Sequence, residues 1–292
     1  MTTIQDELRE TARTLLAEGQ VDCVLGWAWE EELQRAVPCF VRAAEDAKRL
    51  IWDERCVVSL APFLLHMKRQ LSSVRTEPSR TAIVVKGCDA RGVVRILRDQ
   101  QLERDEVLII GVVCQGVGDP DNRPAKCREC QYHVPPVYDL LLGEEPKETQ
   151  TPSSPLLERV REIEGWDVAD RASYWREHFS RCLRCYACRQ VCPACNCVEC
   201  IFDSERTRWT YKRTTAEENM IFHAIRAFHV AGRCVECGEC ERACPMGIPL
   251  MEINKKVASD IKELFSVPDA GVDLREEPPL VRYETGDLDH FV

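Results

Sequence analysis

Apolar side chains at Ile4, Leu8, Ala12, Leu15 and Leu16 recur with a helical period that stops at Gly19, so the chain opens on an amphipathic helix. Two short apolar runs follow, VDCVLGWAW (21–29) and AVPCFVRAA (36–44), separated by the acidic Glu30–Glu32. They read as two strands about a turn or short helix. RCVVSLAPFLLHMKRQ (55–70) reads as a helix interrupted at Pro62. The next unit is clearer. TAIVVKG (81–87) has the pattern of a buried strand, DARGVVRILRDQQ (89–101) that of a helix with Asp89 as candidate N-cap, and DEVLIIGVVC (105–114) that of a second buried strand. Strand, helix and strand at this spacing predict a right-handed crossover in a parallel sheet.

The second half changes character. GEEPKETQTPSSP (143–155) is rich in Pro, Thr, Ser and Glu and reads as a linker. A helix is expected from about 156 to 164, after which WDVADRASYWREHFSRC leads into a cysteine-rich segment. AEENMIFHAIRAFHVA (216–231) is a strong helical pattern closed at Gly232. From Ser266 onward prolines and acids are scattered without period, which reads either as disorder or as an extended arm. Val281, Tyr283, Leu288 and Phe291 punctuate it and suggest an arm laid on another subunit.

Cysteine placement carries the chemistry. Of the 18 cysteines, 11 fall within the 63 residues from Cys182 to Cys244. They include two copies of CxxCxxCxxxCP: Cys182, Cys185, Cys188 and Cys192 before Pro193, and Cys234, Cys237, Cys240 and Cys244 before Pro245. In ferredoxin-type runs the first three thiolates hold one cubane and the fourth crosses to the other. One 4Fe-4S cluster is therefore expected on Cys182, Cys185, Cys188 and Cys244, and a second on Cys234, Cys237, Cys240 and Cys192. The alternative is zinc, which usually takes paired CxxC units without the further CxxC step and trailing CP. Forty-one residues and a helix separate Cys192 from Cys234, which suits a helical ferredoxin module. His223 and His229 on that helix are expected to pack near a cluster rather than to ligate one.

A further four thiols fall in the first half. Cys88 follows the first buried strand and Cys114 ends the second, which places both at the carboxyl edge of the predicted sheet, where open α/β folds bind ligands. KCREC supplies Cys127 and Cys130. A third 4Fe-4S cluster on these four is the leading expectation, with a zinc site or plain buried cysteines as the other readings. Gly87 and Gly116 leave room for close backbone approach, and Asp89 and Arg91 are candidates to face a flavin or a partner. The extra Cys195, Cys197 and Cys200 in CPACNCVEC either hold three corners of a further cluster, with Cys56 or another N-terminal cysteine as the fourth, or form a structural turn.

Composition narrows the setting. With 45% hydrophobic and 30% charged residues the chain is of soluble globular type, and no apolar run approaches the roughly 18 residues of a membrane span. A net charge of −10 speaks against nucleic acid. The charged opening segment does not read as a secretory leader, so reduced, metal-bound thiols in the cytoplasm are expected. No Ser or Cys triad, Walker loop or GxGxxG fingerprint is present, and no catalytic residue is assigned.

VVKGCDARGVVRIL, VLIIGVVCQGVGDP and KCREC resemble the iron-sulfur and flavin-binding β-subunit family of deazaflavin-reducing hydrogenases and formate dehydrogenases. The cysteine-rich block resembles the dicluster subunits of heterodisulfide-reductase-type, electron-bifurcating complexes and of flavin oxidoreductases. The resemblance implies that Cys88, Cys114, Cys127 and Cys130 belong to an N-terminal cluster. FAD belongs to the flavin-containing β-subunits, from which this chain departs by having no long segment after the CxxC to complete such a pocket. The expected fold is an α/β domain with a parallel-sheet crossover (1–142), a linker (143–155), an α-helical dicluster ferredoxin domain (156–265) and a tail (266–292). The expected function is electron transfer within a multisubunit oxidoreductase, between a flavoprotein or catalytic hydrogenase or formate dehydrogenase module and a heterodisulfide-reductase-like or ferredoxin acceptor. The alternative is a flavin-bearing β-subunit that itself turns over a deazaflavin or nicotinamide.

Overall fold

The first half builds a mixed sheet whose central strands are covered on both faces. The computed structural model describes residues 3–71, 80–145, 154–204, 213–275 and 279. Its strands are β1 (Cys23–Glu30), β2 (Arg35–Val41), β3 (Leu50–Ile51), β4 (Thr81–Val85), β5 (Val107–Val112) and β6 (Leu140–Leu142). They lie in the order β2-β1-β4-β5-β6, with β3 on β1. The β1–β2 pair is antiparallel, Leu25 opposite Phe40, while β1–β4, β4–β5 and β5–β6 are parallel, with Ile83 opposite Ile109. Every residue of β4 and β5 is buried, the continuous apolar pattern of strands with both faces packed. Trp27, Leu25, Ile83, Ile109 and Ile110 fill the core, each such side chain contributing about 1.5–3 kcal/mol by leaving water.

Helix α1 (Ile4–Ala17) starts at a Thr3–Asp6 capping box and lays Leu8, Ala12 and Leu15 on this core. Helix α2 (Ala61–Leu71) differs from the sequence expectation: Pro62 opens it instead of interrupting it, because the first turn needs no proline N–H. The crossover helix α3 (Gly87–Arg98) begins two residues early, with Lys86 as N-cap, so Asp89 occupies the third position and accepts from the Lys86 N–H at 3.4 Å. Strands β3 and β6 are too short to have shown a period in sequence.

A short helix, α4 (Ala125–Arg128), lies between β5 and β6, and the second half is helical, with α5 (Pro155–Gly165), α6 (Val168–Ser180), α7 (Ala187–Gln190), α8 (Ala216–His229), α9 (Glu239–Arg242) and α10 (Leu250–Phe265). The approach segment 166–180 is itself a helix, α6, capped by Asp167. Phe179 of α6 stacks on His223 of α8 at 4.7 Å.

The halves are tied at several points. Asp99 at the end of α3 pairs with Arg233 and accepts from Asn196 at 2.7 Å. Residues 266–275, the start of the segment expected to be disordered or an arm laid on another subunit, lie against this chain's own α3. Arg91 Nε donates to the Ala270 carbonyl at 3.0 Å, Arg98 to that of Leu274 at 3.0 Å, and the Tyr132 hydroxyl to Asp269 at 2.7 Å. Val281, Tyr283, Leu288 and Phe291 lie outside the described residues. Among the described residues no helix is long and apolar enough to cross a membrane.

Candidate metal centres

The two CxxCxxC runs adopt one backbone twice. Arg184 (φ 55°) and Tyr186 (φ 61°) are left-handed in the first, and Glu236 (φ 54°) and Gly238 (φ 68°) take the same places in the second. Each run then turns into a short helix, α7 or α9. Alternation of left- and right-handed residues turns successive N–H groups inward, the concavity that suits anionic ligands and iron-sulfur centres. A left-handed non-glycine residue costs roughly 1–2 kcal/mol, and three are held here. N–H groups two residues on point back at sulfur: Arg184 N lies 3.4 Å from Cys182 Sγ, and Glu236 and Glu239 donate to Cys234 and Cys237.

Packing of α7 against α9 interleaves the thiols. Cys182 feels the charges of Cys244 and Cys185, and Cys188 those of Cys240, Cys182 and Cys244. Cys192 acts on Cys234, Cys237 and Cys240. The fourth cysteine of each run thus acts electrostatically on members of the other run. Burial pushes the thiols of Cys188 and Cys234 up to about 12 and that of Cys240 to about 11. Such thiols are deprotonated readily only when a metal takes the place of the proton. Cys182 and Cys188 are buried, whereas Cys185 and the neighbouring Leu183 are exposed.

Two side chains approach these sulfurs. His223 Nε2 lies 3.3 Å from Cys182 Sγ, and Asn254 Nδ2 donates to Cys240 Sγ at 3.3 Å. Burial, together with Arg226 and Arg184, pushes His223 down to about 3, so its imidazole is neutral.

In the first half Cys88 (first turn of α3), Cys114 (after β5), Cys127 (in α4) and Cys130 line one cavity of about 460 Å³. The cavity wall also includes Tyr132, Val235 and Gly238, so it abuts the second run. Gly116 N and Tyr132 N each lie 3.4 Å from the sulfur two residues earlier, Cys114 and Cys130. Gly87 is needed for approach: a Cβ there would stand 1.9 Å from the Tyr132 carbonyl oxygen. Burial pushes Cys88 up to about 12. Lys126, beside Cys127, crosses to Glu239. Burial opposes the Glu239 charge, but Lys126 and Arg242 hold its carboxyl at about 2.

Of the two residues expected to face a flavin or partner, Asp89 does not reach the cavity. It is fully buried and occupied by Lys86 Nζ at 2.9 Å and the Leu60 N–H at 3.1 Å. Arg91 does line the cavity, with its guanidinium 4.5 Å over the Tyr132 ring. Cys195 hydrogen-bonds with Cys192 and feels Cys188 and Cys200, while Cys197 is exposed. Cys56 is apart from them in the sheet core, its thiol 3.8 Å from the Ile51 carbonyl. Cys23 and Cys39 are core residues, as expected. Lys126 and Asn254 were not singled out in sequence, although each is a polar residue inside a cysteine motif or an apolar helix face.

Among the described residues no group of three or more His, Cys, Asp or Glu side chains is placed to hold a single metal ion. The donor set fits a multi-iron centre: thiols gathered from separate segments, N–H groups aimed at sulfur, and a buried amide and imidazole behind them.

Residues 181–249 match the family model described as a 4Fe-4S dicluster domain. The chain is 38% identical over 111 residues to the F420-dependent formate dehydrogenase subunit beta of Methanocaldococcus jannaschii, a stretch covering 38% of this chain and 28% of that relative. The matched stretch thus spans little more than a quarter of that relative's length. It is 24% identical over 360 aligned positions to the F420-dependent formate dehydrogenase 1 subunit beta of Methanococcus maripaludis, covering 91% of this chain and 90% of that one.

Proposed function

We propose that this chain, whose dicluster domain and formate dehydrogenase β-subunit relatives support an iron-sulfur β-subunit family, is the electron-transfer subunit of a formate-dehydrogenase-type oxidoreductase. Residues 1–142 and 156–265 are its two domains. Cys182, Cys185, Cys188 and Cys244 hold one 4Fe-4S cluster, Cys234, Cys237, Cys240 and Cys192 a second, and Cys88, Cys114, Cys127 and Cys130 a third. The observation that supports this reading is the pair of backbones of the same shape, with Cys244 acting on Cys182 and Cys188 and Cys192 acting on Cys234, Cys237 and Cys240.

Bound clusters supply one-electron storage, with potentials set by charge, solvent exposure and hydrogen bonds to sulfur. The chain's own residues do the rest. Arg184, Glu236, Glu239, Gly116 and Tyr132 present N–H groups to sulfur, and the side chains of His223 and Asn254 approach it. The cavity of the first half abuts Val235 and Gly238, so the third site neighbours the second, and the exposed Cys185 and Leu183 form the outer edge of the first. Electrons would then pass in a line between a flavin or catalytic subunit at one end and a heterodisulfide-reductase-like or ferredoxin acceptor at the other.

Anaerobic purification with iron, sulfide and flavin analysis tests this. About twelve irons with equal sulfide per chain is the expected result, and zinc in place of iron would end the proposal. A second reading, a flavin-bearing β-subunit acting on a deazaflavin or nicotinamide, is favoured by the cavity running on beyond the thiols to Leu156, Leu157 and Met251. Stoichiometric flavin would promote it over simple relay.

A further inference from the structure

Arg226 sits on α8 with 3% of its surface exposed, and its three guanidinium nitrogens are buried without an oxygen or nitrogen acceptor among the described residues, the Cys240 thiol being the group that faces them. Its neighbours in kind differ. Arg95 pairs with Asp99 at 2.6 Å, and Arg184 is bound by Asn219 at 3.1 Å and by the Glu218 carbonyl at 2.9 Å. No carboxylate among the described residues forms an ion pair with Arg226. The groups its charge acts on are instead Cys240, Cys188, Cys192 and Cys195. Cys188 belongs to one crossed set, and Cys192 and Cys240 to the other.

A guanidinium keeps its proton at any working pH and is strongly disfavoured in an interior without an opposing charge. The two thiolate sets are the anions within reach. We propose that Arg226 is a positioning residue shared by the two crossed clusters, a fixed cation whose fork of N–H groups faces sulfur of both and raises both reduction potentials together. This rests on the cluster assignment above. A thiolate-ligated cluster gains one negative charge when it takes one electron from an external one-electron reductant, with no bond made and no proton moved. A cation held nearby therefore stabilises the reduced form more than the oxidised one.

The test uses the full-length, cluster-loaded chain in an anaerobic dithionite titration followed by EPR. In Arg226→Gln both crossed centres should move to more negative potential. At the solution potential where each native centre is half reduced, its reduced-to-oxidised ratio should fall about tenfold, which is 59 mV for one electron. Arg226→Lys, which keeps the charge, should recover most of that shift. Intact clusters with unmoved potentials, or movement of one centre alone, would overturn the proposal. Should either variant fail to assemble, native protein carrying 15N only in arginine guanidinium groups supplies the measurement: absence of nitrogen coupling to the reduced centres in pulsed EPR would equally overturn it. A native protein lacking iron and sulfide would instead refute the cluster assignment and leave the test of Arg226 recognisably distinct.

Discussion

The ammonium of Lys126 stands 3.0 Å from the carboxylate of Glu239, and with side chains 10% and 1% exposed the two form a buried ion pair between the CxxC of the sheet half and the second ferredoxin run. Removing one partner of such a pair leaves an uncompensated charge and costs about 3–5 kcal/mol. Arg242, 2.7 Å from the same carboxylate, offsets part of that loss. Lys126→Met should therefore destabilise the protein by roughly 2–4 kcal/mol. Adding Glu239→Gln should cost less than the sum of the single changes in urea unfolding, and strict additivity would contradict the pairing.

Cys192 acts on Cys234, Cys237 and Cys240. Cys192→Ser should then damage the centre held by those three and spare the one held by the nearer Cys182, Cys185 and Cys188. EPR of the reduced variant distinguishes the two. Loss of the centre nearer in sequence would refute the crossed arrangement.

Cys127→Ser should lower iron by about four atoms per chain, one cubane, with the two ferredoxin-type signals retained. Unchanged iron would make Cys127 a structural residue.

Gly87→Ala places a methyl group 1.9 Å from the Tyr132 carbonyl oxygen. Tyr132 and the neighbouring Cys130 must retreat from α3. Iron should fall as in Cys127→Ser although no thiol is removed, and a variant with full iron would show that the close approach is dispensable.

Burial pushes the Cys56 thiol up to about 12 and that of Cys23 to about 11. In the unfolded chain a thiol titrates near 8.5. Folding thus favours the protonated form: its contribution is complete below about pH 8.5 and declines as pH rises towards the folded values, at up to about 1.4 kcal/mol per pH unit for each group. Cys56→Ala should flatten the alkaline fall in stability measured by urea unfolding between pH 9 and 11 by about that slope for one group. An unchanged slope would mean that Cys56 ionises freely in the fold.

The crossover unit was legible because β4 and β5 are buried throughout, and a strand with both faces packed writes itself as an unbroken apolar run. Asp89 reads as an N-cap by residue type, whereas the helix starts at Gly87 and puts Asp89 at its third position, behind the Lys86 N-cap. The grouping of Cys88 and Cys114 at one sheet edge could be reasoned from topology, but the approach of the second run to the same cavity could not. Lys126 and Glu239, 113 positions apart, meet in that contact. Arg226 left a trace in sequence as a charged residue on the buried stripe of α8 that also holds Phe222 and His223. Only its lack of a carboxylate partner, a property of packing, distinguishes it from an ordinary salt-bridged arginine.

The two ferredoxin-type backbones match, but their surroundings do not. Where the first run carries Tyr186, the second carries Gly238, and a Cβ there would meet Lys126 Cδ at 2.8 Å. Of the two matching turns only the glycine-bearing one leaves room for the Lys126 stem, so the internal duplication is asymmetric at the place where a lysine from the sheet half enters it.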